Sequence, residues 1–185
     1  MEDAPLTDLI REAQGGNATA LNRIFAVMYD DLRVMARNRL HSHQRGMMLD
    51  TTSLVHESFL RFSRAGHLQI ADRKHFLRYA SVVMRSVVVD YARERLTERR
   101  GGGAEHVTLT TQACDAATEA CAQILHIHDA LEELGRLDER LALVVEMRYF
   151  AAMTENEIAQ TLDITDRTVR RDWEKARLIL ADALK

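Results

Sequence analysis

Three clusters of side chains in this sequence could bind phosphate, nucleic-acid bases or another protein. Arg167, Thr168, Arg170, Arg171 and Lys175 fall within nine residues near the end of the chain. On a helix they would leave a cationic outer face suited to phosphate. Lys74, His75, Arg78, Tyr79 and Arg85 interleave charge with rings. That combination suits single-stranded bases, because a ring gives any base a stacking face. Asp50-Thr51-Thr52-Ser53 places one acid and three hydroxyls just ahead of the apolar run Leu54-Val55-His56-Glu57-Ser58-Phe59-Leu60-Arg61-Phe62.

Other chemistry is excluded by spacing. His56-Glu57 is followed at the zinc-protease position by Leu60 rather than a second His. Gly101-Gly102-Gly103 lacks the Lys and Ser or Thr of a phosphate-cradling loop. His41 and His43 have no Cys or acidic pair at ligand spacing nearby, and Cys121, His126 and His128 match no common zinc pattern. Cys114 and Cys121 are too few for a disulfide framework. No catalytic residue, metal or cofactor is expected, and the chain reads as a non-enzyme.

The elements that must carry these clusters are helices. Thr154-Glu155-Asn156-Glu157 has the form of a capping box and predicts a helix from Thr154, with Ile158, Ala159 and Leu162 on one apolar face. Asp163-Ile164 makes a tight connection, and Thr165 is a second N-cap. In the next helix Val169, Trp173, Ala176 and Leu180 face inward and the cations face out. Two short helices with the second basic outside form a helix-turn-helix, which fits a DNA major groove.

Earlier in the chain, a short helix is expected from Thr7 to Gln14, ended by Gly15-Gly16. Asn17 then caps a longer helix with the stripe Leu21, Ile24, Phe25, Met28, Leu32, Met35, Ala36 and Leu40. Asp30, Asp31, Arg33, Arg37 and Arg39 are placed on its exposed face, and Gly46 is a plausible stop. Leu54, Val55, Ser58, Phe59 and Phe62 share one helical face. After a loop of Ser63 to Ala71, a basic helix runs from Asp72 to Arg100, with Phe76, Leu77, Ala80, Val83, Met84, Val87, Val88 and Tyr91 inward. Gly101-Gly102-Gly103 ends it and opens a linker to Ala117. From Gly101 through Gly135 there are acids but no Lys or Arg. Helical period resumes near Thr118, with Ile124, Leu125, His128, Leu131 and Leu134 inward, breaks at Gly135, and returns from Asp138 to Phe150 with Leu141, Val144, Val145 and Arg148 on adjoining turns.

Composition sets the outer limits. With 185 residues, one Pro and eight Gly, the chain suits one or two small all-helical domains. A net charge of −3 and a pI near 6.2 mean that nucleic-acid affinity is local or shared with a larger partner. No signal peptide or membrane span is apparent: the Val82–Val89 run is short and holds Arg85. A cytoplasmic location is expected.

In this order the parts resemble the extracytoplasmic-function (ECF) sigma factors, the small two-domain branch of the bacterial sigma-70 family. The most specific segments are Leu54 to Arg61, similar to the core-polymerase-binding helix; Asp72 to Arg95, similar to the promoter-melting region; and Leu137 to Phe150 with the helix-turn-helix, similar to the domain that reads the −35 element. The resemblance implies a sigma region 2-like domain over residues 1–100, an acidic flexible linker over 101–117, and a sigma region 4-like domain over 118–185. It further implies core RNA polymerase, through its β′ clamp and β flap, and promoter DNA as partners. Asp50, Leu54, Glu57 and Arg61 would serve the polymerase. Lys74, His75, Arg78, Tyr79 and Arg85 would serve the −10 strand, held partly by the loop of Ser63 to Ala71. Arg167, Thr168, Arg170, Arg171 and Lys175 would serve the −35 groove, where Arg can bond guanine through two hydrogen bonds.

One departure from the family carries a second expectation. Members usually begin the core-binding helix with acids, and here Thr51, Thr52 and Ser53 stand in those places. A phosphate adds about −1.5 to −2 charges, and a helix N-terminus favours it. Activation by a Ser/Thr kinase is expected on this reading, with Thr51 first and Thr52 second, and this resembles a kinase-coupled branch of the family. The competing reading makes the three residues ordinary N-caps. Whether an anti-sigma factor also acts is left open by the sequence. The alternative function is a stand-alone helix-turn-helix regulator that binds duplex operators without polymerase.

Overall fold

The structure is a computed structural model that describes residues 3–14, 18–41, 49–64, 70–100 and 111–185. Gly15-Gly16, Asn17, His43, Gly46, residues 65–69 of the expected Ser63–Ala71 loop, and the linker from Gly101 to Thr110 lie outside the described residues. Among the described residues every regular element is helical, as the patterning predicts.

The first half consists of α1 (Asp3–Gln14), α2 (Ala18–Val27), α3 (Tyr29–His41), α4 (Thr51–Arg64) and α5 (Arg73–Arg100). The expected long second helix is interrupted at Met28, yet Met28 N–H still bonds Ile24 C=O and Leu32 N–H bonds Met28 C=O, both at 2.9 Å. The apolar stripe therefore runs on through the junction. Phe25 is the centre of an aromatic cluster that joins α2, α4 and α5, with ring centroids 4.8 Å from Phe59, 5.0 Å from Phe62 and 5.7 Å from Phe76. All three pairs meet edge to face, the favoured arrangement for rings of this quadrupole. Leu54 and Val55 are buried, and buried Ser58 donates its hydroxyl back to Leu54 C=O at 2.7 Å, so no polar group is stranded.

The second half consists of α6 (Thr111–Leu137), α7 (Glu139–Val145), a π-helical turn (Glu146–Phe150), α8 (Glu155–Leu162) and α9 (Asp166–Ala183). Here three boundaries differ from expectation. Helix α6 starts at Thr111, so the last seven residues of the expected linker are helical. It also passes through Gly135, because one glycine weakens a helix by only about 1 kcal/mol and packing on both sides outweighs that. The helix expected from Asp138 to Phe150 widens at Glu146, where Ala151 N–H reaches back five residues to Glu146 C=O at 3.1 Å.

The two halves are packed together. Helix α6 lies antiparallel along α5: Arg85 meets His128 and Glu132, while Val88 and Val89 line the same small cavity as Ile124 and Ile127. One continuous core takes in Met35, Leu77 and Met84 from the first half and Val144, Met147, Met153 and Ile158 from the second. A smaller core of Leu131, Leu134, Leu141, Val145, Phe150 and Ala176 belongs to the second half alone.

Candidate nucleic-acid interface

The helix-turn-helix is built by local hydrogen bonds. Thr154 caps α8: its hydroxyl accepts from Glu157 N–H at 3.3 Å, and Glu157 accepts from Thr154 N–H at 2.8 Å, completing the capping box. Burial alone would raise the Glu157 carboxyl, but the bonds from Thr154 outweigh it and hold the group below its ordinary range. Asp163 ends α8 in the left-handed region with φ 53°, which Asp tolerates better than most residues. Thr165 caps α9 by accepting from Thr168 N–H at 3.2 Å. Val169, Asp172 and Ala176 face inward. Arg167, Arg170, Arg171 and Lys175 are exposed, as expected. Arg170 bonds Glu155 at 2.9 Å, while the Thr168 hydroxyl is shared with Thr165 at 2.9 Å.

Arg140 supplies a brace that sequence reasoning missed, donating to buried Asp172 Oδ2 at 2.6 Å and so fixing α9 against α7. Arg148, placed by its spacing on a turn adjoining Leu141, Val144 and Val145, is half-buried. It bonds Glu155 at 2.8 Å and lies 4.9 Å over the Trp173 ring.

At the start of α5, Asp72 accepts from His75 N–H at 2.9 Å and stands 3.0 Å from His75 Nδ1. Burial pushes the Asp72 carboxyl up, but these bonds prevail and keep it low. Tyr79 packs edge-on against Phe62, centroids 4.9 Å apart. His75, Arg78 and Tyr79 are half-buried. Two other members of the expected −10 set are occupied by the second half of the chain: Lys74 bonds Gln160, and Arg85 bonds Glu132 at 3.0 Å and His128 at 3.2 Å.

At the start of α4 the cap is Asp50. Its Oδ1 accepts from Thr52 N–H at 2.8 Å and Ser53 N–H at 2.9 Å, and its Oδ2 accepts from the Ser53 hydroxyl at 2.9 Å. These bonds, led by that from Ser53 N–H, hold the Asp50 carboxyl below its usual value. Thr52 and Ser53 are exposed and Thr51 is half-buried. Neither Thr51 nor Thr52 uses its hydroxyl as a cap among the described residues. Leu54 is completely buried, so it positions α4 instead of offering a contact surface; apolar periodicity put it at the head of the core face. Arg61 is also turned inward, bridging α4 to α5 through Ser86 at 2.7 Å and Asp90 at 2.8 Å, with Glu57 at 3.7 Å.

A buried charged cluster joins the halves. Arg39 donates to Glu146 Oε1 at 2.5 Å and to Ser81 C=O at 2.8 Å, and the Ser81 hydroxyl donates to Glu146 Oε1 at 2.6 Å. Arg85 Nε stands 3.5 Å from Glu146 Oε2, and the Phe150 ring lies 3.5 Å beneath the Arg39 guanidinium. Burial lowers the Arg39 pKa, opposed by Glu146. Arg39 was expected on the exposed face of its helix. Its place one turn beyond Met35 and Ala36 and two turns beyond Leu32 puts it on the apolar stripe, although Arg side chains are mostly exposed. Cys121 is buried, and burial pushes its thiol up; among the described residues no three His, Cys, Asp or Glu side chains are grouped to hold a metal. Among the described residues no helix is long and apolar enough to cross a membrane.

The described residues are all-helical, with a capped helix-turn-helix, an outward cationic face on the second of its helices and a second basic helix, the arrangement of a helical DNA-binding module. The family model described as ECF sigma factor matches residues 3–185, and the chain belongs to that family. No curated protein matches it. Members of the family are alternative sigma factors, which join core RNA polymerase and direct it to promoters.

Proposed function

We propose that this chain is a sigma factor whose engagement with polymerase is controlled by phosphorylation at the first turn of α4. The observation that carries this reading is the division of labour around Asp50. Because Asp50 already satisfies the Thr52 and Ser53 amides, the Thr51 and Thr52 hydroxyls are not needed to start the helix. The ordinary-cap alternative thus fits Asp50 better than it fits either threonine. The first turn itself holds no acid. A phosphate there would turn a weakly acidic helix start into a strongly acidic one, placed where the helix dipole favours negative charge. Exposure ranks Thr52 ahead of Thr51, and Ser53 last because its hydroxyl is held by Asp50.

In this reading Asp50 and Glu57 face the polymerase clamp, and Leu54 and Arg61 hold the helix in position. His75, Arg78, Tyr79, Lys74 and Arg85 bind the −10 strand; Arg167, Arg170, Arg171 and Lys175 enter the −35 groove, with Thr168 beside them. The polymerase flap receives the second half, the kinase is a Ser/Thr protein kinase, and the compartment is cytoplasmic.

The test is binding to purified core RNA polymerase, followed by initiation, for the unmodified chain, Thr51→Glu, Thr52→Glu, the two Ala variants and kinase-treated protein. Weak binding by the unmodified chain and tight binding by a Glu or phosphorylated form are expected. Tight binding by the unmodified chain would remove the switch and keep the sigma factor. Binding to duplex DNA alone, with no form taken up by polymerase, would favour the stand-alone regulator.

A further inference from the structure

We infer that Glu155 helps to set the base specificity of α9 by holding Arg170 in place: it is a positioning residue for one G·C pair of the −35 element. This deepens the proposed function and rests on it for the identity of that element. The supporting geometry is a closed ring of contacts through three elements. Arg170 Nε on α9 stands 2.9 Å from Glu155 Oε2 at the start of α8. The other oxygen of the same carboxylate, Oε1, accepts from Arg148 Nη1 of the π-helical turn at 2.8 Å. The Arg148 guanidinium lies 4.9 Å over the ring of Trp173, which returns the path to α9 within one helical turn of Arg170. Glu155 directly follows Thr154 of the capping box, so its backbone is fixed as well.

The ring sets Arg170 apart from its neighbours on the outer face of α9. Arg171 Nε is 3.6 Å from Asp172 and Lys175 Nζ is 3.8 Å from Asp138, both beyond hydrogen-bond distance. Arg170 is held more closely, yet its side chain is 63% exposed, so it is both aimed and reachable. Glu155 approaches it at Nε. The two terminal nitrogens make the end-on fork that matches O6 and N7 of guanine. Ordering a long side chain at the moment of binding costs affinity, and a guanidinium ordered beforehand avoids that cost for the base it is aimed at. The carboxylate also repels phosphate. It thereby disfavours capture of Arg170 by the DNA backbone, where contacts carry no sequence information. Stability alone gives little reason for the pair, because an ion pair this exposed contributes little to a fold.

The test is the base preference of the full chain, alone at low salt and joined to core RNA polymerase, selected from duplexes randomised through the −35 region. Arg170→Ala is expected to lower the preference for G at one position about tenfold. Glu155→Ala lowers the preference at that same position severalfold and leaves the others unchanged. Its affinity for mixed-sequence duplex does not fall, since a negative charge beside the phosphates has been removed. The double variant loses no more than Arg170→Ala alone, as expected when one residue acts through the other. Glu155→Gln keeps the side chain's length and one carbonyl oxygen but drops the charge, and lies between wild type and Glu155→Ala. Circular dichroism establishes that each variant is folded; should Glu155→Ala unfold, Glu155→Gln carries the comparison. A preference kept in full by Glu155→Ala, an equal loss at every position, an additive loss in the double variant, or no change of preference in Arg170→Ala would overturn the inference. The two arms separate it from the sigma reading. The Arg170 and Glu155 pattern in the chain alone, with no form taken up by polymerase, keeps the positioning role and removes the sigma reading. A polymerase complex that selects its −35 element without regard to Glu155 keeps the sigma reading and removes the positioning role.

Discussion

Arg140 Nε bonds Asp172 Oδ2 at 2.6 Å, tying the outer surface of α7 to the buried side of the helix that would face DNA. The two partners differ in burial: the Arg140 side chain is 45% exposed and that of Asp172 only 3%. Removing the arginine leaves a desolvated carboxylate, whereas neutralising the aspartate leaves an arginine that water can serve. Arg140→Ala is expected to destabilise the chain by about 1–3 kcal/mol, more than Asp172→Asn does. Denaturant unfolding of both variants checks this, and equal losses would mean that the carboxylate finds another donor.

His128 makes the packing of α6 against α5 sensitive to acid. Burial, then the Arg85 charge, lowers its pKa from the ordinary 6.5; Glu132 and Asp129 on its own helix oppose this, and Arg93 of α5 adds to it. The folded chain thus holds fewer protons at this site than the unfolded chain below pH 6.5. The contribution is complete above that value and is lost as pH falls through the lowered folded value. A protonated ring also loses the acceptor for Arg85 Nη1. Thermal melts are expected to show a steeper fall in Tm below pH 6.5 for wild type than for His128→Gln. Parallel curves would assign the acid sensitivity to other groups.

Gly135 lies inside α6, and a Cβ added there would sit 3.7 Å from the Ala142 Cβ, ordinary van der Waals contact. No positive φ requires glycine at this position. Gly135→Ala is expected to stabilise the fold by about 0.5–1 kcal/mol through helix propensity, read as a higher Tm. A loss of stability would show that the glycine serves close packing between α6 and α7.

Most of the secondary structure was legible in the sequence because its determinants are local. Thr154 with Glu157, and Thr165 with Thr168, are three residues apart, and both caps are as the spacing predicts. The basic outer face of α9 and the aromatic face of α4 follow from helical period in the same way. The errors fall where a local signal was weak or overruled. The break at Met28 leaves the apolar stripe continuous, so periodicity carries no mark of it. The acidic stretch before Thr118 lacked a long apolar period, yet α6 begins at Thr111.

By itself the sequence determined the helices, their apolar faces and the cationic clusters, since each depends on residue types a few positions apart. Tertiary structure decided which charges are covered. Arg39 and Glu146 are 107 residues apart, and neither carries a local sign of the other. Only packing of α3 and α5 against the π-helical turn buries both, with Ser81 between them. Likewise, nothing near Lys74 or Arg85 in sequence separates them from the exposed cations of α9. Their occupation by Gln160, Glu132 and His128 is a property of how the halves dock. Charge at a distance is matched in space, and sequence order records only charge that is matched within a turn or two of helix.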